Sequence, residues 1–75
     1  MLYGGPVRVY ELSMLRSFRM RAGLSQQELA NAVSASRTTV SRLELGRAIP
    51  SVTLALALAR SLGVTVEELF APDLC

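Results

Sequence analysis

The chain has 75 residues, a formal charge of +2 and 51% hydrophobic residues against only 5% aromatic. That length holds one domain whose single core supplies a few kcal/mol of net stability, and so aliphatic an interior suits packed helices better than a β-sandwich. One cysteine, Cys75, and no histidine exclude a disulfide framework and a cysteine/histidine metal site, so the chain reads as intracellular and needs no cofactor.

Residues 1-10, MLYGGPVRVY, open on turn residues and then alternate weakly like a strand across Val7-Arg8-Val9-Tyr10. Three readings stay open for this arm: disorder, a reach toward DNA or a partner, or a strand paired between two subunits in a dimer. Gly4, Gly5 and Pro6 interrupt the apolar centre that an export signal needs, and no run approaches the length of a membrane span. The expected location is the cytoplasm. Met14 is an alternative start, because the helical pattern needs little before it.

Residues 11-75 read as a single helical domain. From Glu11 to Ala22 the spacing predicts a first helix with Leu12, Leu15 and Phe18 as its apolar contacts, closed by Gly23 in a left-handed conformation. Arg16, Arg19 and Arg21 fall on this helix, as a solvated face on the simplest reading.

The stretch from Ser25 to Gly46, SQQELANAVSASRTTVSRLELG, organises the rest. Leu29, Ala30 and Val33 form one apolar stripe at helical spacing, and Val40 and Leu43 form another after a short break. Two short helices joined by a tight turn result. Ser25 with Glu28 makes a capping box at the first start, and Ser36 caps the second helix from Arg37. With Val40 and Leu43 inward, the second helix presents Arg37, Thr38, Ser41 and Arg42 outward. A short helix with a polar, basic outer face, held across another helix, suits the major groove of DNA.

Gly46-Arg47-Ala48-Ile49-Pro50 is a loop, and Ser51 caps a fourth helix from Val52 to Leu62 closed by Gly63. Leu54-Ala55-Leu56-Ala57-Leu58-Ala59 alternates with the period of a strand, but leucine and alanine are strong helix formers and decide for helix. Such a helix is apolar on nearly every side, so it is buried all round or meets another chain. Thr65 and Glu68 repeat the capping box before a last short helix through Leu69 and Phe70, which Pro72 stops.

All 8 basic residues are arginine. Arginine forks onto phosphate or guanine, giving a better nucleic-acid footprint than the net charge implies, although a compositional bias against lysine explains the count equally well.

In order along the chain, Gly23-Leu24-Ser25-Gln26, Glu28-Leu29-Ala30, Val40-Ser41-Arg42-Leu43-Glu44, Gly46, Ile49-Pro50-Ser51, Leu62-Gly63-Val64 and Glu68-Leu69-Phe70 resemble the phage-repressor and Cro type of helix-turn-helix regulators, the Xre family. The resemblance implies an all-α, five-helix lambda-repressor-like DNA-binding domain with the helix-turn-helix at helices 2 and 3. It also implies a homodimer acting on a partly palindromic operator of double-stranded DNA. Carried over position by position, Ser36, Arg37, Thr38 and Arg42 are the base-contacting residues, with Arg37 the best candidate for guanine O6 and N7. A solvated helix face is an equal alternative for Thr38 and Ser41. Gln26, at the start of helix 2, corresponds to a phosphate-contacting glutamine, and Gln27, Ser41 and Arg47 join it on the DNA backbone. Arg19 and Glu44 occupy the positions of a structural ion pair between helix 1 and the end of helix 3.

Two positions depart from the family pattern. Ser34 stands where the turn usually has glycine and must adopt or avoid a left-handed conformation at some strain. Leu45 replaces an asparagine that normally helps grip the DNA backbone.

An enzyme is not expected, because the carboxylates are spread among helix caps and the ion pair, with no acid–base constellation. A sequence-specific repressor is the leading expectation. The alternative is a protein-interaction or antitoxin-like adaptor, with Leu54, Leu56, Leu69, Phe70 and Leu74 as candidates for its partner surface or for a dimer surface, at least half of them being expected as ordinary core instead.

Overall fold

Serine hydroxyls start three of the helices in the computed structural model, which describes residues 14–70. Their order is α1 (Leu15–Arg21), α2 (Gln26–Ala32), α3 (Arg37–Glu44), α4 (Val52–Leu62) and α5 (Val66–Phe70), with no strand among the described residues. Ser25 Oγ accepts from the Glu28 N–H at 3.0 Å while the Glu28 carboxylate accepts from the Ser25 N–H at 2.8 Å, completing the capping box of α2. Ser36 caps α3 through the Thr39 N–H at 3.1 Å, and Ser51 caps α4 through the Leu54 N–H at 3.1 Å. Thr65 and Glu68 make the same reciprocal pair at α5, over 3.1 and 2.8 Å. Any part of α1 before Met14, and the arm over residues 1–10, lie outside the described residues.

One pattern of hydrogen bonds closes the first four helices: a residue one or two places past the end donates to the carbonyl three back, and the next residue to the carbonyl five back. For α3 these are Gly46 to Leu43 at 3.2 Å and Arg47 to Arg42 at 2.8 Å; for α2 they are Ser34 to Asn31 at 3.3 Å and Ala35 to Ala30 at 2.9 Å. The pattern needs a left-handed residue at the close. Gly23, Gly46 and Gly63 supply it without a Cβ penalty, but at α2 it is Ser34, with φ 58°. The turn inside the helix-turn-helix therefore keeps its geometry against a local steric cost.

α2 and α3 pack on each other; α3 also rests on α1, α2 on α4, and α5 on α4 and α1. The Met14 N–H donates to the Leu69 carbonyl at 3.2 Å, joining the start of α1 to α5. The enclosed core is aliphatic: Leu15, Leu29, Ala30, Val40, Leu43, Leu58, Ala59 and Leu69 are buried, and Phe18 packs against them from the edge. The alternating leucine–alanine run forms α4, as composition dictated. Its Ala55, Leu58 and Ala59 face the core while Val52 and Leu56 remain exposed.

Leu69 corrects an expectation. It is no partner surface, since it is completely buried in the core. Leu54 is half-buried and packs against the same core, which leaves Leu56 as the exposed member of the proposed surface. The side chain of Phe70 and the whole of Leu74 lie outside the described residues.

Candidate nucleic-acid interface

Val40 and Leu43 anchor α3, with 0% and 1% of their surface exposed. The helical period then fixes what points away: Arg37 with Ser41, and Thr38 with Arg42, stack one turn apart on the outer side. Arg37, Thr38 and Arg42 are exposed and Ser41 is half-buried. Ser36 is exposed too, but its oxygen caps α3 and lies 2.9 Å from the Thr39 hydroxyl, a contact in which either group can donate. Its hydroxyl thus serves the helix start first. Thr39, half-buried beside it, was not singled out by the sequence, which has no signal for a hydroxyl pair formed across a cap.

Beside α3 lies a cleft of about 250 Å³ lined by Arg16, Arg19, Gln26, Ser41, Glu44 and Leu45. At its floor the Arg19 Nε donates to Glu44 Oε2 at 2.5 Å and a second guanidinium nitrogen donates to Oε1 at 3.2 Å. The Arg19 and Glu44 side chains are only 12% and 4% exposed, so this forked pair is largely shielded from water. A third Arg19 nitrogen donates to the Leu24 carbonyl at 2.8 Å, which ties the α1–α2 connection into the same network.

Gln26 joins from the first turn of α2. Its Nε2 donates to Glu44 Oε1 at 3.0 Å. A carboxylate only accepts, so the amide nitrogen must be the atom facing Glu44, and its second N–H stays available. The arrangement sets the Gln26 amide at the cleft with a known orientation. Arg16, assigned to a solvated face from sequence, borders the same cleft and is exposed. No local signal could have placed it there, because the opposite wall is built by α2 and α3.

Gln27 is exposed and donates to Asn31 Oδ1 at 2.9 Å, one turn along its own helix. Arg47 is exposed in the loop after α3, whose path is fixed by its N–H on the Arg42 carbonyl. Leu45 sits at the cleft with 64% of its surface exposed, an apolar side chain at a position expected to be polar. Arg21 lies 5.2 Å over the Phe18 ring and is thereby held on α1. Among the described residues Arg19–Glu44 is the ion pair, and Arg37, Arg42, Arg47 and Arg16, all exposed, form no ion pair with another described residue. No group of acidic or cysteine side chains suited to a metal ion occurs among the described residues, and no described helix is long and apolar enough to cross a membrane.

The chain matches the helix-turn-helix domain family over residues 13–71. It is 42% identical over 62 residues to an HTH-type transcriptional regulator of Methanothermobacter thermautotrophicus, spanning 81% of this chain and 90% of that relative. The restriction-modification controller protein C.AhdI from Aeromonas hydrophila superposes with a TM-score of 0.74 at 35% identity, covering 83% of this chain and 94% of that one. The clp gene regulator ClgR from Corynebacterium glutamicum superposes with a TM-score of 0.78 at 34% identity, covering 88% and 71% of the two chains. With an α3 that is apolar inward and basic outward, and a turn geometry kept even at Ser34, the chain belongs to the repressor and Cro type, the Xre family, of helix-turn-helix DNA-binding transcriptional regulators.

Proposed function

We propose that the protein is a dimeric, sequence-specific repressor of the cytoplasm that lays α3 in the major groove of a partly palindromic operator and has no enzymatic activity of its own. The observation that carries this reading is the division of α3: Val40 and Leu43 buried, Arg37, Thr38 and Arg42 exposed. Arg37 reads guanine through O6 and N7, Thr38 and Arg42 meet neighbouring base edges, and Ser36 adds a contact to the extent its capping role allows. Gln26, Gln27, Ser41 and Arg47 hold the sugar–phosphate backbone, joined by Arg16 at the cleft. Two copies would set their α3 helices roughly 34 Å apart on one face of the duplex.

Selection from a random DNA pool at two salt concentrations tests the reading. A two-fold-related consensus whose binding weakens steeply with salt is the expected result. Enrichment of no sequence at either concentration would reject it.

A further inference from the structure

We infer that each half-site of the operator carries two guanines on opposite strands, about two to three base pairs apart, one read by Arg37 and the other by Arg42. The inference rests on the major-groove reading above and gives it a base composition. Both side chains are exposed, and neither forms an ion pair among the described residues. Glu44, the sole acidic residue of α3, is taken up by Arg19 and Gln26. The outer side of α3 therefore offers arginine donors and hydroxyls, and no carboxylate. Arginine only donates, and that selects the base. Guanine presents two acceptors, O6 and N7, side by side in the major groove; adenine and cytosine place an amino donor there, and thymine one acceptor beside a methyl group.

Helix geometry sets the arrangement. The five-residue step from Arg37 to Arg42 rises about 7.5 Å along α3, a little over the rise of two base pairs at about 3.4 Å each. The same step turns through about 140°, so the two arginines leave α3 on opposite flanks with Thr38 between them. For a helix lying in the groove, each flank faces one wall, and the acceptor edge of a guanine lies toward its own strand. Each arginine thus meets a guanine of a different strand. Ser41, one turn after Arg37, lines the cleft that also holds Arg16 and Gln26. The Arg37 flank is therefore the one turned to the backbone gripped at that cleft, and Arg37 takes the guanine of that strand. The assignment concerns a single half-site and holds whether one copy binds or two.

Selection from a random DNA pool with the full native chain, Arg37→Ala and Arg42→Ala tests the inference. The native chain should enrich a guanine on one strand and, about two to three pairs away, a cytosine on that strand, whose partner is the second guanine. Arg37→Ala should lose the preference at one of the two positions and keep it at the other, and Arg42→Ala should do the reverse. Each should bind the native consensus about tenfold or more weakly. Their melting temperatures should match the native chain, because both residues are exposed. Replacing either guanine by 7-deazaguanine, which lacks the N7 acceptor, should weaken the native chain and have little further effect on the variant missing the matching arginine. A variant that weakens all duplexes alike, or a 7-deazaguanine loss felt equally by the native chain and the matched variant, would overturn the assignment. A native consensus built on other bases sinks it and leaves the repressor standing; enrichment of no sequence sinks both.

Discussion

Gln26 Nε2 donates to Glu44 Oε1 over 3.0 Å, on the carboxylate that also takes the Arg19 guanidinium. One acidic side chain at the end of α3 therefore fixes α1 below it and the amide that borders the cleft beside it. Removing Glu44 leaves the Arg19 charge largely buried without a partner, a loss of about 3–5 kcal/mol. Glu44→Ala should lower the melting temperature by roughly 10 °C or more in calorimetry. Gln26→Ala removes one charge-assisted bond from the same carboxylate and should cost less, about 1.5–3 kcal/mol, and it should weaken DNA binding to a similar degree across sequences, as measured by titration against specific and scrambled duplexes.

Ser34 closes α2 in a conformation that α1, α3 and α4 reach with glycine. A left-handed L-residue costs about 1–2 kcal/mol, part of which glycine returns as extra chain entropy in the unfolded state. Ser34→Gly should thus stabilise by about 0.5–1 kcal/mol, a rise of several degrees in melting temperature. A fall on thermal denaturation would mean that the hydroxyl makes a contact worth more than the strain.

Arg37 and Arg47 are both exposed, but they should fail differently. Arg37→Ala should reduce binding to the selected operator roughly tenfold to a hundredfold and flatten the preference for guanine at one position. Arg47→Ala should weaken all duplexes alike and lower the slope of log affinity against log salt by about one. Fluorescence anisotropy over a salt series separates the two.

Leu69 and Leu56 divide the surface expected for a partner. Leu69 is wholly enclosed, so Leu69→Ala should cost about 2–5 kcal/mol in urea denaturation. Leu56, 45% exposed, should lose far less stability on the same change, and its effect should show in self-association instead.

Local rules made most of the helices legible. Ser25, Ser36 and Ser51 mark starts with hydroxyls that bond as the capping rules require, and leucine–alanine composition correctly outweighed an alternating pattern in α4. What escaped depends on which way a side chain turns within a short element, or on partners distant along the chain. Leu69 and its neighbour Phe70 are adjacent apolar residues on a helix of little more than one turn, and sequence alone does not tell which enters the core. The Gln26–Glu44 bond spans two helices, and Arg16 gains its place beside α3 only once three elements have docked. Ser34 shows the opposite case. Its strain was foreseeable, and the surrounding closure bonds show that the helix pair imposes it.

Val40 and Leu43 hold α3 in place without help from Arg37, Thr38 or Arg42. A lineage can therefore exchange those three outward residues without rebuilding the interior. Preference for one control site can drift into preference for another while tolerance to heat stays where it was.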